Sequence, residues 1–175
     1  MTEKQQILLK SAQEIFCDLG YAVASTAKIS RLAGTSEALI FRHFGSKKAL
    51  ASAVVKHGNT CRAGLAYAAL NDPNPEHIIR DYLGLYAQYL SKPTTFVPWL
   101  ASIRIANEDP SFFVEDGFIV ERLSWAVGEI GHAKAGAVSR VLISTLDRAL
   151  LLAHSDQKAH GELLISGLRE VLINE

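Results

Sequence analysis

An all-α fold of about nine helices is what this 175-residue sequence predicts, on three observations. Apolar residues recur at i, i+3 and i+4 along almost every segment, glycines, prolines and asparagines fall between the segments, and no stretch alternates convincingly with the period of two that a strand needs. The expected organisation is an N-terminal three-helix domain with a helix-turn-helix over residues 1–45, followed by a larger helical domain over 46–175.

Helix one is expected from about Glu3 to Gly20, with Ile7, Leu8, Ser11, Ala12, Ile15, Phe16 and Leu19 on its core stripe and Gly20 stopping it. The next helix sets Ile29, Leu32 and Ala33 on one face, and Gly34 ends it because a residue without Cβ takes the left-handed conformation cheaply. Ser36 is placed to cap a short helix running to Phe44, with Ile40 and Phe44 inward and Ala38, Leu39, Arg42 and His43 outward. A short exposed helix after a tight turn fits a DNA major groove. Ser46 then caps a long helix reaching about Leu70, and Asn71 to Pro75 form the clearest break in the chain. Helices over about 75–91, 96–106, 111–131, 133–154 and 158–173 follow.

Charge supports the same reading. The whole chain balances 18 basic against 18 acidic side chains, but Thr26 to Lys48 holds Lys28, Arg31, Arg42, Lys47 and Lys48 against Glu37 alone. A positive field is therefore concentrated on the helix-turn-helix. With 49% hydrophobic residues the chain can bury a sizeable core, yet no apolar run approaches the roughly 20 residues of a membrane span. The sequence MTEKQQ opens with charge instead of an apolar signal core, so a cytoplasmic location and no membrane partner are expected. Cys17 and Cys61 are far from any Cys-x-x-Cys spacing and read as core residues or free thiols. The six histidines form no His-Glu-x-x-His, and there is no phosphate-binding glycine loop or nucleophile motif, so neither an enzyme nor a metal or other cofactor is expected.

Three pieces in order, Ile15 to Tyr21 (IFCDLGY), Ile29 to Gly34 (ISRLAG) and Thr35 to Leu50 (TSEALIFRHFGSKKAL), make the first fifty residues resemble the TetR family of bacterial transcriptional regulators. The chain departs from the family's usual pattern at Ala38 and Leu39 (a small pair such as Gly-Thr), Phe41 (Tyr), Ser30 (Ala) and Thr35 (Val). The resemblance implies phosphate contacts from Thr26, Ser36, His43 and Lys47, to which Lys28 and Lys48 are added on charge. Base or sugar contact falls to Ala38, Leu39 and Arg42, while Phe41 serves either packing or the DNA face.

The last two helices each carry a broad apolar face, including Leu142, Leu146, Ala149 and Leu150 on one and Leu164, Leu168 and Val171 on the other. Paired with a copy of itself, this hairpin would form a four-helix dimer interface, and the resemblance implies the same homodimer. It also implies an inducer pocket in the middle helices, for which Tyr86, Trp99, Ile103 and Trp125 are the expected lining and a small apolar or aromatic effector the expected occupant. The expected function is a ligand-responsive homodimeric regulator, a repressor released from palindromic double-stranded DNA by its effector. The alternative is a DNA-binding protein without a small ligand whose body serves as a protein-interaction adaptor.

Overall fold

The computed structural model describes residues 1–173. Among them are nine α-helices, two short 3-10 turns and no strand: α1 Glu3–Leu19, α2 Thr26–Leu32, α3 Glu37–Phe44, α4 Lys47–Leu70, α5 Pro75–Ser91, α6 Val97–Glu108, α7 Gly117–Glu129, α8 Ala135–His154 and α9 Lys158–Ile173. No described helix is long and apolar enough to cross a membrane. The chain forms two compact units, one of Met1–Arg62 with Phe96–Val114, the other of Ala63–Thr95 with the residues from Glu115 onward. The boundary therefore falls inside α4, and the first unit contains α6 as well as the three N-terminal helices.

In the first unit α1 starts with a capping box. The Gln5 N–H donates to Thr2 Oγ1 at 3.3 Å and the Thr2 N–H donates to Gln5 Oε1 at 2.8 Å. Its buried residues are Leu8, Leu9, Ser11, Ala12, Gln13, Phe16 and Cys17, whereas Ile7 is exposed. The stripe is rotated from the expected one because α1 packs on both α2 and α6, and α6 covers a face that local periodicity assigns to its edge. Gln13 of α1 is buried as well, and its Nε2 meets Nδ1 of His57 in α4 at 2.7 Å. Ile29 of α2 and Ile40 of α3 are fully buried, but Leu32 is 49% exposed and so does not join the core as expected. The long helix α4 is capped by Ser46, whose Oγ accepts the Ala49 N–H at 3.0 Å. It approaches α6 at Gly58, where a Cβ would stand 2.6 Å from Ser102 Cβ and collide with the Pro98 carbonyl oxygen.

Burial pushes the Cys17 thiol up to about 12, with Asp18 adding and Arg104 opposing, and burial also raises the half-buried Cys61. A thiol reagent at pH 8 is expected to modify Cys61 in the folded protein and leave Cys17 unmodified until unfolding, as peptide mapping would read. Because Cys17 ionises in the unfolded chain first, the stability it confers is complete below its ordinary value of 9.0 and drains away as pH rises towards about 12.

In the second unit Asn74 caps α5, its Oδ1 accepting N–H groups of Glu76 and His77 at 2.9 and 3.3 Å. The helix expected from residue 111 begins instead at Gly117. Pro110–Phe112 is a 3-10 turn closed by Asp109, Phe113 is extended, and Asp116 caps α7 by accepting the Ile119 N–H at 3.2 Å. Helices α5, α7, α8 and α9 pack on one another to form the core of this unit.

Candidate nucleic-acid interface

Two glycines with positive φ, Gly34 at 63° and Gly45 at 81°, bound the turn before α3 and the end of α3. Between them only Ile40 is fully buried, so the helix is anchored by one side and offers the other. Ala38 and Arg42 are exposed, Phe41 is 49% exposed, and Leu39, His43 and Phe44 are half-buried. Phe41 therefore lies largely on the outward face.

Ser36 occupies the N-cap position of α3, but its hydroxyl makes no capping hydrogen bond, contrary to the role expected of it. That exposed hydroxyl is left to meet something else. The start of α3 is instead tied to the start of α2, where Thr26 Oγ1 donates to Glu37 Oε1. Ser25 caps α2 by accepting the Lys28 N–H at 3.2 Å. The hydroxyl of Thr35, at the position where the resemblance has valine, is buried without a partner.

The five cations of this region are not equivalent. Lys28, Arg31 and Arg42 are exposed. Lys47 is drawn inward: its Nζ donates to the Ala22 carbonyl at 3.4 Å and sits 4.6 Å above the Tyr21 ring, and desolvation lowers its pKa against the pull of Glu108. Lys48 Nζ lies 5.7 Å over Phe112. Of the expected phosphate ligands, Lys47 and Thr26 are thus already bonded within the first unit, whereas Lys48 stays exposed.

Periodicity gave no sign of the clamp that holds the end of α1 and the loop after it. From α6, Arg104 Nη1 donates to the Cys17 carbonyl at 2.8 Å and Glu108 Oε2 accepts the Ala22 N–H at 2.6 Å. These partners are 87 and 86 residues apart in sequence, so no local signal could have paired them.

The expected effector residues fall in both units. Trp99 and Ile103 are buried in the first, Trp99 stacking on Phe96 at 5.7 Å with the Arg62 guanidinium 5.2 Å from its ring. Tyr86 and Trp125 belong to the second. Trp125 is 38% exposed beneath Arg122, whereas Tyr86 is buried, donates its hydroxyl to the Lys158 carbonyl at 3.0 Å and borders a groove of about 370 Å³ between α5 and α9. Burial, and secondarily Glu162, raise the Tyr86 phenol, which keeps it a donor.

Four of the seven expected dimer residues are placed otherwise than foreseen. Leu142, Leu146, Ala149 and Leu150 are fully buried within the single chain, because that face of α8 is already covered by its own unit. Leu164 and Val171 are exposed and Leu168 is half-buried, and Val141 and Leu163 are also exposed.

The model of the bacterial regulatory proteins, tetR family, matches residues 8–54, the span that holds most of α1, the helix-turn-helix and the start of α4. No curated protein sequence matches the chain. Among solved structures, a TetR-family transcriptional regulator from Streptomyces coelicolor is similar with a TM-score of 0.72 and 20% identity, covering 98% of this chain and 95% of that one. The regulator PfmR from Thermus thermophilus aligns with a TM-score of 0.65 and 18% identity over 92% and 98% of the two chains. AibR, solved in complex with isovaleryl coenzyme A and operator DNA, aligns at 0.71 and 15% identity over 97% and 98%. At these identities the likeness is one of fold, and it extends to both units. The matched N-terminal span and the geometry of α2 and α3 together show that residues 8–54 carry a helix-turn-helix similar to that of the bacterial regulatory proteins, tetR family, on a chain whose whole fold resembles that of such regulators.

Proposed function

We propose that residues 1–45 act as the DNA-reading head, that residues 46–175 form the sensing and dimerising body, and that the chain represses transcription as a homodimer on a palindromic operator. The outward face of α3, with Ala38, Phe41 and Arg42 exposed, carries this reading, together with the exposed cations Lys28 and Arg31 of α2. Arg42 reads a base edge, Ala38, Leu39 and Phe41 make apolar contact in the groove, and Ser36, His43, Lys28 and Lys48 meet phosphate. Lys47 and Thr26 join them only by giving up bonds they hold within the head.

The test is a titration of DNA fragments flanking the protein's own gene across salt concentrations. Four to five phosphate contacts per protomer would give a dimer about eight to ten, hence a slope of log affinity on log salt near −7 to −9. A slope near −2, or binding blind to sequence, would remove the dimeric reader.

The exposed residues Val141, Leu163, Leu164 and Val171, with half-buried Leu168, support a homodimer through α8 and α9. Val171→Glu would bury a charge in that contact, and ultracentrifugation is expected to show a dimer turned into a folded monomer with weakened operator binding. A variant that stays dimeric would move the interface elsewhere.

A small, largely apolar effector is proposed to favour one arrangement of the body and to release DNA through α4, which both units share. Reciprocity then requires operator DNA to weaken effector binding by the same factor. The adaptor reading draws support from the stacked pair Tyr67 and Phe118, 58% and 43% exposed at 6.3 Å, on the second unit.

A further inference from the structure

Helices α5 and α9 touch where Gly161 meets Tyr86. A Cβ at Gly161 would lie 2.8 Å from the Ala149 carbonyl oxygen and 3.1 Å from Tyr86 Cζ, so only glycine allows the approach. The groove these helices line, about 370 Å³, is near the lower end of small-molecule sites, roughly 300 Å³. Leu83, Leu90 and Ile165 give it apolar walls. Its polar side is Arg169, whose Nε–H is buried and has no hydrogen-bond acceptor. Glu162, the one carboxylate in the lining, lies 3.6 Å from Lys158 Nζ. A buried Nε–H without an acceptor is costly even on a half-buried arginine, and a planar carboxylate matches the guanidinium fork in a way a neutral group does not.

We infer that this groove binds a small amphipathic carboxylate, a short fatty or aryl-alkyl acid, with its carboxylate on Arg169 and its apolar body against Leu83, Leu90 and Ile165. A phosphate is disfavoured because a second negative charge would face Glu162. The site rests on the effector reading above, and it gives that largely apolar effector a single negative charge.

Hexanoate, octanoate and phenylacetate, with 1-octanol as the uncharged control, are titrated calorimetrically into the full-length protein without DNA. At least one acid is expected to bind, and Arg169→Gln is expected to weaken it tenfold or more while leaving any binding of 1-octanol unchanged. Leu90→Glu, which tethers a carboxylate in the same groove, should exclude the acids as well, and it serves if Arg169→Gln fails to fold. No binding by any of the three acids, or acid affinities equal in wild type and Arg169→Gln, would overturn the site. The DNA titration with saturating acid separates the two readings. Acid bound through Arg169 with DNA affinity unchanged keeps the site and removes its effector role, whereas absent acid binding with intact DNA binding removes the site and keeps the regulator.

Discussion

Arg42→Ala is expected to weaken operator binding by about 2–6 kcal/mol, since a bidentate base contact is worth about 1–3 kcal/mol of discrimination and a dimer makes two. Arg42 is exposed in the last turn of α3, a helix anchored by Ile40 and closed by Gly45, so its guanidinium can be lost without disturbing the core. The loss should be selective. Affinity for the operator is expected to fall towards that for unrelated DNA, with little change in salt slope, as competition titrations would show. Lys28→Ala, by contrast, should weaken binding to every sequence and reduce the slope by about one per head. If Arg42→Ala behaved like Lys28→Ala, the base contact would belong to Leu39 or Phe41 instead.

Gly58→Ala is expected to destabilise the protein by about 1–3 kcal/mol, although alanine is the better helix former by about 1 kcal/mol. The new methyl would meet Ser102 Cβ at 2.6 Å, Ser102 Oγ at 2.8 Å and the Pro98 carbonyl oxygen closer still. Ser102 cannot swing aside easily, because its hydroxyl donates to the Trp99 carbonyl at 2.7 Å inside a fully buried segment. At this chain length the loss corresponds to a Tm lowered by about 2–4 °C per kcal/mol. Gly64→Ala is the control: nothing lies within 4 Å of its Cβ, and the same substitution there should stabilise the helix. Equal melting temperatures for the two variants would show that α4 and α6 have room to separate.

Elements held together by neighbours in sequence were legible in it. The stop at Gly20, the turn at Gly34, the cap at Ser46, the break before Pro75 and the hairpin of α8 and α9 all depend on residues within a few positions of one another. What periodicity missed depends on distant partners. It chose Ile7 over Leu9 for the core of α1 because nothing local announces that α6 packs there. It offered Leu142 and Leu146 to a second copy because an apolar face does not say whether its own chain or another covers it. It ran α7 back to Ser111 because Asp109 and Asp116 are both competent caps, and only the extended Phe113 between them divides the segment. Within the head, the outward side of α3 was legible, whereas the commitments of Thr26 and Lys47 were not, since each is met by a residue outside its own helix.

The clamp from α6 bears on how such proteins can be recombined. A cut after the recognition helix would separate the head from its own support, because the end of α1 and the loop after it are gripped through the Cys17 carbonyl and the Ala22 amide by Arg104 and Glu108. A chimera made of residues 1–45 on a foreign body would inherit the letters of the operator code without the hand that steadies the reader. The transplantable module therefore includes the end of α6, some sixty residues further along the chain than the last residue of the head.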